Sequence, residues 1–529
     1  MMLRLVLLPW FCLAVLATDA QTRPANSGLY AIWYRDKYEL LDVPYIVGGQ
    51  IVVQWHDVAP AADRYDFSSI GQELKKLRTL GKTTTIQING NLKPAWLFAQ
   101  VPHYPEKLSV QVRDKAGTLM YWHPRHREAY TNMLKAFAGF LAQSPDRGAL
   151  IGIRLNFNAI GTEHFPVPKD AQNLAKWIVP PGAQLGPRWS PDEVAAYEKA
   201  VVDTFVEHLA PHAKIFVRNN VNAKIAEQYR SLFETEKLGW FHTSSEAEPR
   251  SRGLERQYQR FFDDCRSGKT VGYAEPWASA WGDHGKTDHR SCSPPQWNYW
   301  RTLIDLHCGV SFLALYANDL AVAVTGRYHV NQNHYDEAKD RRGYQQEFEA
   351  AFRFAERYVG YHASPETSPG AWVAFRENRV ALATNVPSVQ DRQLSSFTGD
   401  YNFLMERLPD KTVGVHNIGP DNQRQGAWAR VLAAGDNLEL RLDVRFAASC
   451  KGGKVRVTYL DQPGDMAGPF ALTAEGARLT VTPKGTGRWQ TAELTLPAGP
   501  LSVGPSGAHV KIVAGPAPVY LHMVEVARN

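Results

Sequence analysis

Cysteine is scarce in this chain. There are five among 529 residues, and one of them, Cys12, sits in the first apolar stretch. That scarcity excludes a disulfide-stapled miniprotein. No CxxC pair occurs. His123 and His126 lie three apart with Pro124 between them, so both read as loop histidines and no metal site is expected. A large excess of one charge is also lacking, with 59 Lys and Arg against 53 Asp and Glu, a net of +6. Over this length that balance does not point to nucleic acid. Internal repeats and low-complexity tails are absent, which excludes a solenoid and a disordered chain. Beyond residue 20 no apolar run approaches the roughly 20 residues that a membrane span needs.

The first twenty residues read as a signal rather than as fold. Arg4 is a positive start, Leu5 to Leu16 is apolar, and Thr18-Asp19-Ala20 places small residues before Gln21. An uncleaved anchor or a lipoprotein signal is the alternative, but Cys12 has no lipobox around it. The mature chain is expected to be secreted or periplasmic, with no transmembrane segment. Export permits disulfides, and Cys265–Cys292 is one candidate pair. Aromatic residues are plentiful instead: 15 Trp, 22 Tyr and 22 Phe.

Short β-rich runs alternate with helical stretches from residue 28 onward. The runs are Gly28–Trp33, Gln50–Trp55, Thr83–Ile88, Leu150–Phe157, Lys214–Asn219, Gly239–Thr243, Thr270–Ala274 and Val310–Tyr316. Helices are expected over Ser69–Leu80, His126–Gln143, Ser190–Leu209 and Tyr344–Val359, from 3.6-type apolar spacing and a Ser190-Pro191-x-Glu193 start. Eight such units in order predict an α/β fold, a (β/α)8 TIM barrel. The rival doubly wound sheet needs a glycine-rich phosphate loop after its first strand. Gly48-Gly49 precedes a strand instead.

After about Ser368 helical periodicity gives way to short alternating strands punctuated by Gly, Pro and Asp, which predicts an all-β sandwich. The expected division is a signal over 1–20, a barrel domain over 21–365 and a sandwich over 366–529, joined by a linker near 360–370.

The active site of such a barrel lies at the C-terminal ends of its strands. The polar and aromatic residues there are Trp55, His56, Asn89, Trp96, Asn156, Asn158, Glu163, Asn219, His242, Glu246, Glu275, Trp277, Trp281 and Tyr316. Two carboxylates of this kind suit glycosidic-bond cleavage, with one protonating the leaving oxygen and the other attacking the anomeric carbon or activating water. Amides and a histidine suit sugar hydroxyls. Two of the four tryptophans are expected as platforms for a sugar face and the others as packing. The 284–290 loop reads as solvated, or as a contact for an acidic or sulfated glycan.

The segment Val52-Val53-Gln54-Trp55-His56-Asp57-Val58-Ala59-Pro60, followed by Arg64-Tyr65-Asp66-Phe67-Ser68, resembles the strand-two region of clan A glycoside hydrolases of the β-galactosidase-like kind. Pro94-Ala95-Trp96-Leu97 resembles their "P-x-W-L" loop. The resemblance covers roughly residues 28–360. It implies a retaining β-glycosidase without cofactor, acting on a plant or algal oligo- or polysaccharide. It also implies Glu163 as acid/base after strand four and Glu275 as nucleophile after strand seven. Glu246 competes with Glu163. One departure stands out: Thr162 rather than Asn precedes Glu163, which leaves the bond to the sugar 2-hydroxyl to Asn156 or Asn158. His242 stands where relatives place a Tyr or His near the nucleophile. A catalytically inert glycan-binding protein is one alternative. A polysaccharide lyase is another, but it needs a cationic clamp and the rim is poor in Arg. In the sandwich, Val457-Thr458-Tyr459-Leu460-Asp461 and Trp489 resemble accessory modules that bind glycan or buttress the barrel.

Overall fold

The computed structural model describes residues 23–34, 37–218, 223–244, 258–259, 261–276, 279–280, 292–326, 344–376, 379–380, 392–393, 399–464 and 468–529. The signal expected over 1–20 lies outside them, as do Asn219, Glu246, Trp277, Trp281 and the 284–290 loop.

All eight β-rich runs contain strands: β1 (Gly28–Ile32), β2 (Ile46–Gln54), β3 (Thr83–Asn89), β4 (Leu150–Arg154), β5 (Lys214–Arg218), β6 (Leu238–Ser244), β7 (Gly272–Pro276) and β8 (Phe312–Tyr316). They close into a ring in chain order, with every neighbouring pair parallel. The closed ring is a (β/α)8 barrel and excludes the doubly wound sheet.

The lumen explains the glycines of these strands. Its lower half is packed by Tyr30, Ile32, Phe216, Phe241, Val271, Tyr273, Phe312 and Ala314. A Cβ on Gly48 would fall 2.0 Å from the Thr83 carbonyl oxygen, and one on Gly152 would fall 2.3 Å from the Phe216 ring. Gly48 and Gly49 therefore lie inside β2, where close approach requires them, and not ahead of it. Side chains on a strand alternate with period 2. The lumen phase that carries Gly152, Phe216 and Tyr273 accordingly carries Arg154, Arg218 and Glu275 one step higher.

The longer helices among the described residues are α1 (Ser68–Thr79), α2 (Pro124–Gln143), α3 (Pro191–Thr204), α4 (Pro294–His307), α5 (Ala317–Thr325) and α6 (Gln345–Tyr358). Ser190 caps α3, its Oγ accepting from Glu193 N at 3.2 Å. Pro124 begins α2 rather than breaking it, since the first helical position needs no N–H donor. His123 is its N-cap. His126 is a buried helix residue set against Trp55, with ring centroids 5.3 Å apart, and not a loop histidine.

Cys265, Cys292, Cys308 and Cys450 are buried free thiols, so the candidate Cys265–Cys292 bridge does not form. Cys265 lies beside Cys308 instead. Burial pushes both thiols well above their ordinary range, which keeps them protonated.

Among the described residues the C-terminal region holds a two-stranded pair, Arg379–Val380 with Arg392–Gln393, and two large antiparallel sheets. One contains Tyr401–Phe403, Gly370–Ala374, Val519–Ala527, Trp428–Leu432 and Val413–His416 in that order, with Lys451–Asp461 and Arg488–Pro500 attached through Val519–Ala527. The other runs Met405–Arg407, Asn437–Leu442, Val510–Ala514, Phe470–Ala474 and Ala477–Val481. The motif residues of this region hold the fold. Asp461 accepts from the Lys484, Gly485 and Thr486 amides at 2.7 to 2.9 Å, and Trp489 is buried beside His522.

The sandwich sits on α4 and α6. Residues 361–367 are two 3-10 turns with His362, Ser364 and Pro365 buried, so the stretch read as a linker is packed. Trp300 of α4 meets Trp428, with ring centroids at 5.0 Å. Glu525 accepts from Arg357 at 2.8 Å, from Arg456 at 3.3 Å and from the Tyr358 hydroxyl. Among the described residues no helix is long and apolar enough to cross a membrane.

Two stability measurements check this account. Glu525→Ala is expected to cost about 2 kcal/mol in chemical denaturation, because it leaves the buried Tyr358 hydroxyl without its acceptor and removes two arginine bonds. Exposed Glu493→Ala should cost much less than Glu525→Ala. Asp319, buried in the first turn of α5, accepts from Ala280 N at 3.0 Å. Burial pushes its carboxyl up from 3.8 to about 7. Its folded form therefore binds a proton that its unfolded form releases. That contribution is full below about pH 4 and is lost as pH rises to about 7, by roughly 4 kcal/mol at most. Asp319→Asn should remove this part of the decline in pH-dependent unfolding.

Candidate active site

Glu275 is the fourth residue of β7 and points into the lumen. Its Oε2 accepts from Gln50 Nε2 at 3.0 Å and from Arg154 Nη1 at 3.3 Å. Gln50 Nε2 also reaches the Tyr273 hydroxyl at 3.0 Å. Arg154 ends β4, and its Nη1 donates to Gln87 Oε1 at 2.7 Å. The Phe241 ring lies under it, with Cζ 4.0 Å from the centroid.

Glu163 follows in the loop after β4. Arg154 Nη2 donates to its Oε1, and Arg218 Nη1 donates to its Oε2. The Glu163 side chain is 9% exposed and that of Glu275 is 7% exposed. One guanidinium thus joins both glutamates, and two arginines balance two carboxylates in a nearly dry site. The backbone around Glu163 is fixed. Thr162 N and Oγ1 both donate to Gln111 Oε1, at 2.9 and 2.8 Å, and Asn158 N donates to Thr162 O at 2.9 Å. Asn158 at φ +52° and Gly161 at φ +89° turn the loop so that Glu163 faces inward.

Burial pulls Arg154 and Arg218 down to about 10, which leaves both cationic at neutral pH. Burial first, and then Arg218, lowers His242 to about 3, so His242 is a neutral imidazole. The same two causes lower His164. Burial first, and then Glu275, pushes the Tyr273 hydroxyl up. Lys93 is buried with its Nζ donating to Gly90 O at 2.8 Å, and burial lowers it to about 8.

The other expected site residues fare differently. Trp55 is fully buried and packs on Tyr130 at 4.9 Å, so it is core and not a sugar platform. Asn156 and Asn158 are also fully buried. Their amides donate to Ile88 O at 3.2 and 3.0 Å, and Asn156 reaches Asn89 Oδ1 at 2.8 Å. These three asparagines clamp the top of β3 to β4, and the first two are out of reach of a sugar hydroxyl. Trp96 is half-buried, with its indole N–H bonded to Ala59 O at 2.9 Å and Arg125 over its ring at 5.9 Å. His56 is exposed and paired with Asp57 at 3.1 Å. His242 is buried against Tyr258, and half-buried Tyr316 packs on the lumen cluster. Asn219, Glu246, Trp277 and Trp281 lie outside the described residues.

Arg154, Arg218, Gln50 and Gln87 are the site residues that inspection of the strand ends misses. Arginine is scarce on the rim but not in the lumen. Strand phase carries the signal: each lies on the inward-facing parity of its own strand.

No protein-family profile and no curated protein sequence matches the chain. Among solved structures it is similar to a β-galactosidase from Rahnella sp. R3, at 13% identity and TM-score 0.39, over 68% of this chain and 59% of that one. It is similar to xylanase 10B from Thermotoga maritima, at 10% identity and TM-score 0.34, over 63% and 96%. It is also similar to a GH42 β-galactosidase from G. stearothermophilus, at 12% identity and TM-score 0.36, over 64% and 58%. The chain thus spans somewhat over half the length of the two β-galactosidases. The barrel assignment rests on the closed parallel ring seen directly in the structure.

Proposed function

We propose that this chain is an exported glycoside hydrolase that cleaves β-glycosidic bonds of an oligo- or polysaccharide with retention. The carrying observation is the carboxylate pair at the C-terminal face, Glu163 after β4 and Glu275 in β7, held on the single guanidinium of Arg154. Gln50 and Arg154 both donate to Glu275 Oε2, which orients it for the part of nucleophile. Glu163 would protonate the leaving oxygen and then take a proton from water. Retention requires the two carboxyl groups roughly 5–5.5 Å apart, and both contact the one guanidinium of Arg154.

The double pairing of Glu163 favours a second reading. Both of its oxygens are taken by guanidiniums, which leaves neither free to meet a leaving oxygen. If nothing displaces it, the chain is a glycan-binding protein on a catalytically inert barrel.

Turnover of aryl β-glycosides and of plant and algal polysaccharides separates the two. Hydrolysis is expected, with the β-anomer of product seen first by NMR. Glu275→Gln should abolish most of it. Glu163→Gln should lower it by about 10²–10⁴-fold on poor leaving groups and far less on dinitrophenyl glycosides, which need no acid. Near-normal turnover in Glu275→Gln would sink the assignment. Glycan binding with no turnover of any substrate would establish the inert reading.

A further inference from the structure

Two buried guanidiniums converge on the carboxylate of Glu163. Among the described residues, Nε of Arg154 and Nε of Arg218 are both buried without a partner. Each guanidinium has five donors, and together they exceed what Glu163 accepts. The two cations also oppose one another, and the single charge of Glu275, which acts on both, offsets only one of their two. Leaving the second charge uncompensated in a dry site would be strongly destabilising. An anion is therefore needed between the arginines whether or not the site is filled.

Displacement of Glu163 would be a rotation of its side chain. Its neighbours are held: Thr162 by Gln111, and His164, whose carbonyl accepts from Ile160 N at 2.9 Å. The carboxylate lies on a flexible stem at the edge of the network, whereas Arg154 is fixed by Gln87 and Glu275.

We propose that Arg154 and Arg218 form the receptor for an anionic group on the substrate sugar, a carboxylate or a sulfate, and that Glu163 stands in for it while the site is empty. The proposal rests on the glycoside reading of the same site and supplies its substrate class. A planar carboxylate or a sulfate matches the guanidinium forks. When it docks, Glu163 rotates away from two cations and comes to lie near a new anion. Both changes favour its neutral form, so it takes a proton from solvent. That proton is then the one passed to the leaving oxygen. The charge count of the buried network stays at zero, with two arginines facing Glu275 and the sugar anion. A neutral sugar does not displace Glu163 and meets it ionised. Acid competence thus arrives with an acidic substrate.

Isothermal titration of the full chain with D-galacturonate, D-glucuronate, galactose 6-sulfate and galactose tests this. At least one acidic sugar should bind about tenfold more tightly than galactose, and Glu163→Gln should tighten that binding by about a further tenfold, because the internal competitor is gone. Whether the uronates or the sulfated sugar bind identifies the anion. Arg218→Gln should erase the preference and Arg218→Lys should keep part of it, with folding checked by circular dichroism. If Arg218→Gln does not fold, the Glu163→Gln result decides alone. Equal binding of galactose and every acidic sugar overturns the proposal, as does unchanged or weaker acidic-sugar binding in Glu163→Gln. Turnover does not enter the measurement. The expected binding pattern in a chain that hydrolyses nothing counts against the glycosidase reading and leaves the receptor standing.

Discussion

Arg154 is the constraint on which the site depends. It is buried at the end of β4, over the Phe241 ring, and its guanidinium meets Glu163 on one nitrogen and Glu275 on another. Two carboxylates brought this close without a cation would repel, and one would protonate. Arg154 lies between them and offsets that repulsion. The guanidinium that holds Glu275 in place therefore also ties up Glu163. Any chemistry at this site has to release that restraint.

The lumen is layered in a way that makes such a network affordable. Its floor is aromatic and aliphatic, and it is closed around glycines that have no room for a Cβ. Its upper layer is Gln50, Gln87, Arg154, Arg218 and Glu275, each satisfied in part by the others. Buried charge is tolerated because it is paired and hydrogen-bonded, and the packed floor holds the pairs in register. The asparagine clamp of Asn89, Asn156 and Asn158 fixes the mouth of the same wall.

The sandwich contributes rigidity at the opposite side of α4 and α6. Trp300, Trp428, Tyr299 and His522 interlock across the seam, and Glu525 gathers two arginines and a tyrosine hydroxyl. Helix α4 is buried almost throughout as a result. Of the residues that resembled an accessory module, Asp461 holds the 484–486 turn of the sandwich and Trp489 packs on His522. Several edge strands, such as Tyr401–Phe403 and Val413–His416, are too short for alternation to reveal them, and pairing with longer neighbours creates them.

Local pattern determined the scaffold. Eight β-rich runs, four amphipathic helices and a change to alternating strands after residue 368 were legible because hydrophobic period is a property of adjacent residues. Glu275 was legible for the same reason, as a carboxylate in a small-residue strand end. The arginine network was not. Arg154 and Arg218 look like ordinary charges at the ends of apolar strands. Only closure of the ring turns their side chains inward and brings Arg154 to Glu275, 121 residues away in sequence. Trp55 shows the converse. Its place after β2 suggested the rim, and the fold buries it against α2. Which residues lie near a strand end is written in the chain. Which of them face a substrate is decided by tertiary packing, because burial and charge pairing depend on neighbours that only the closed barrel supplies.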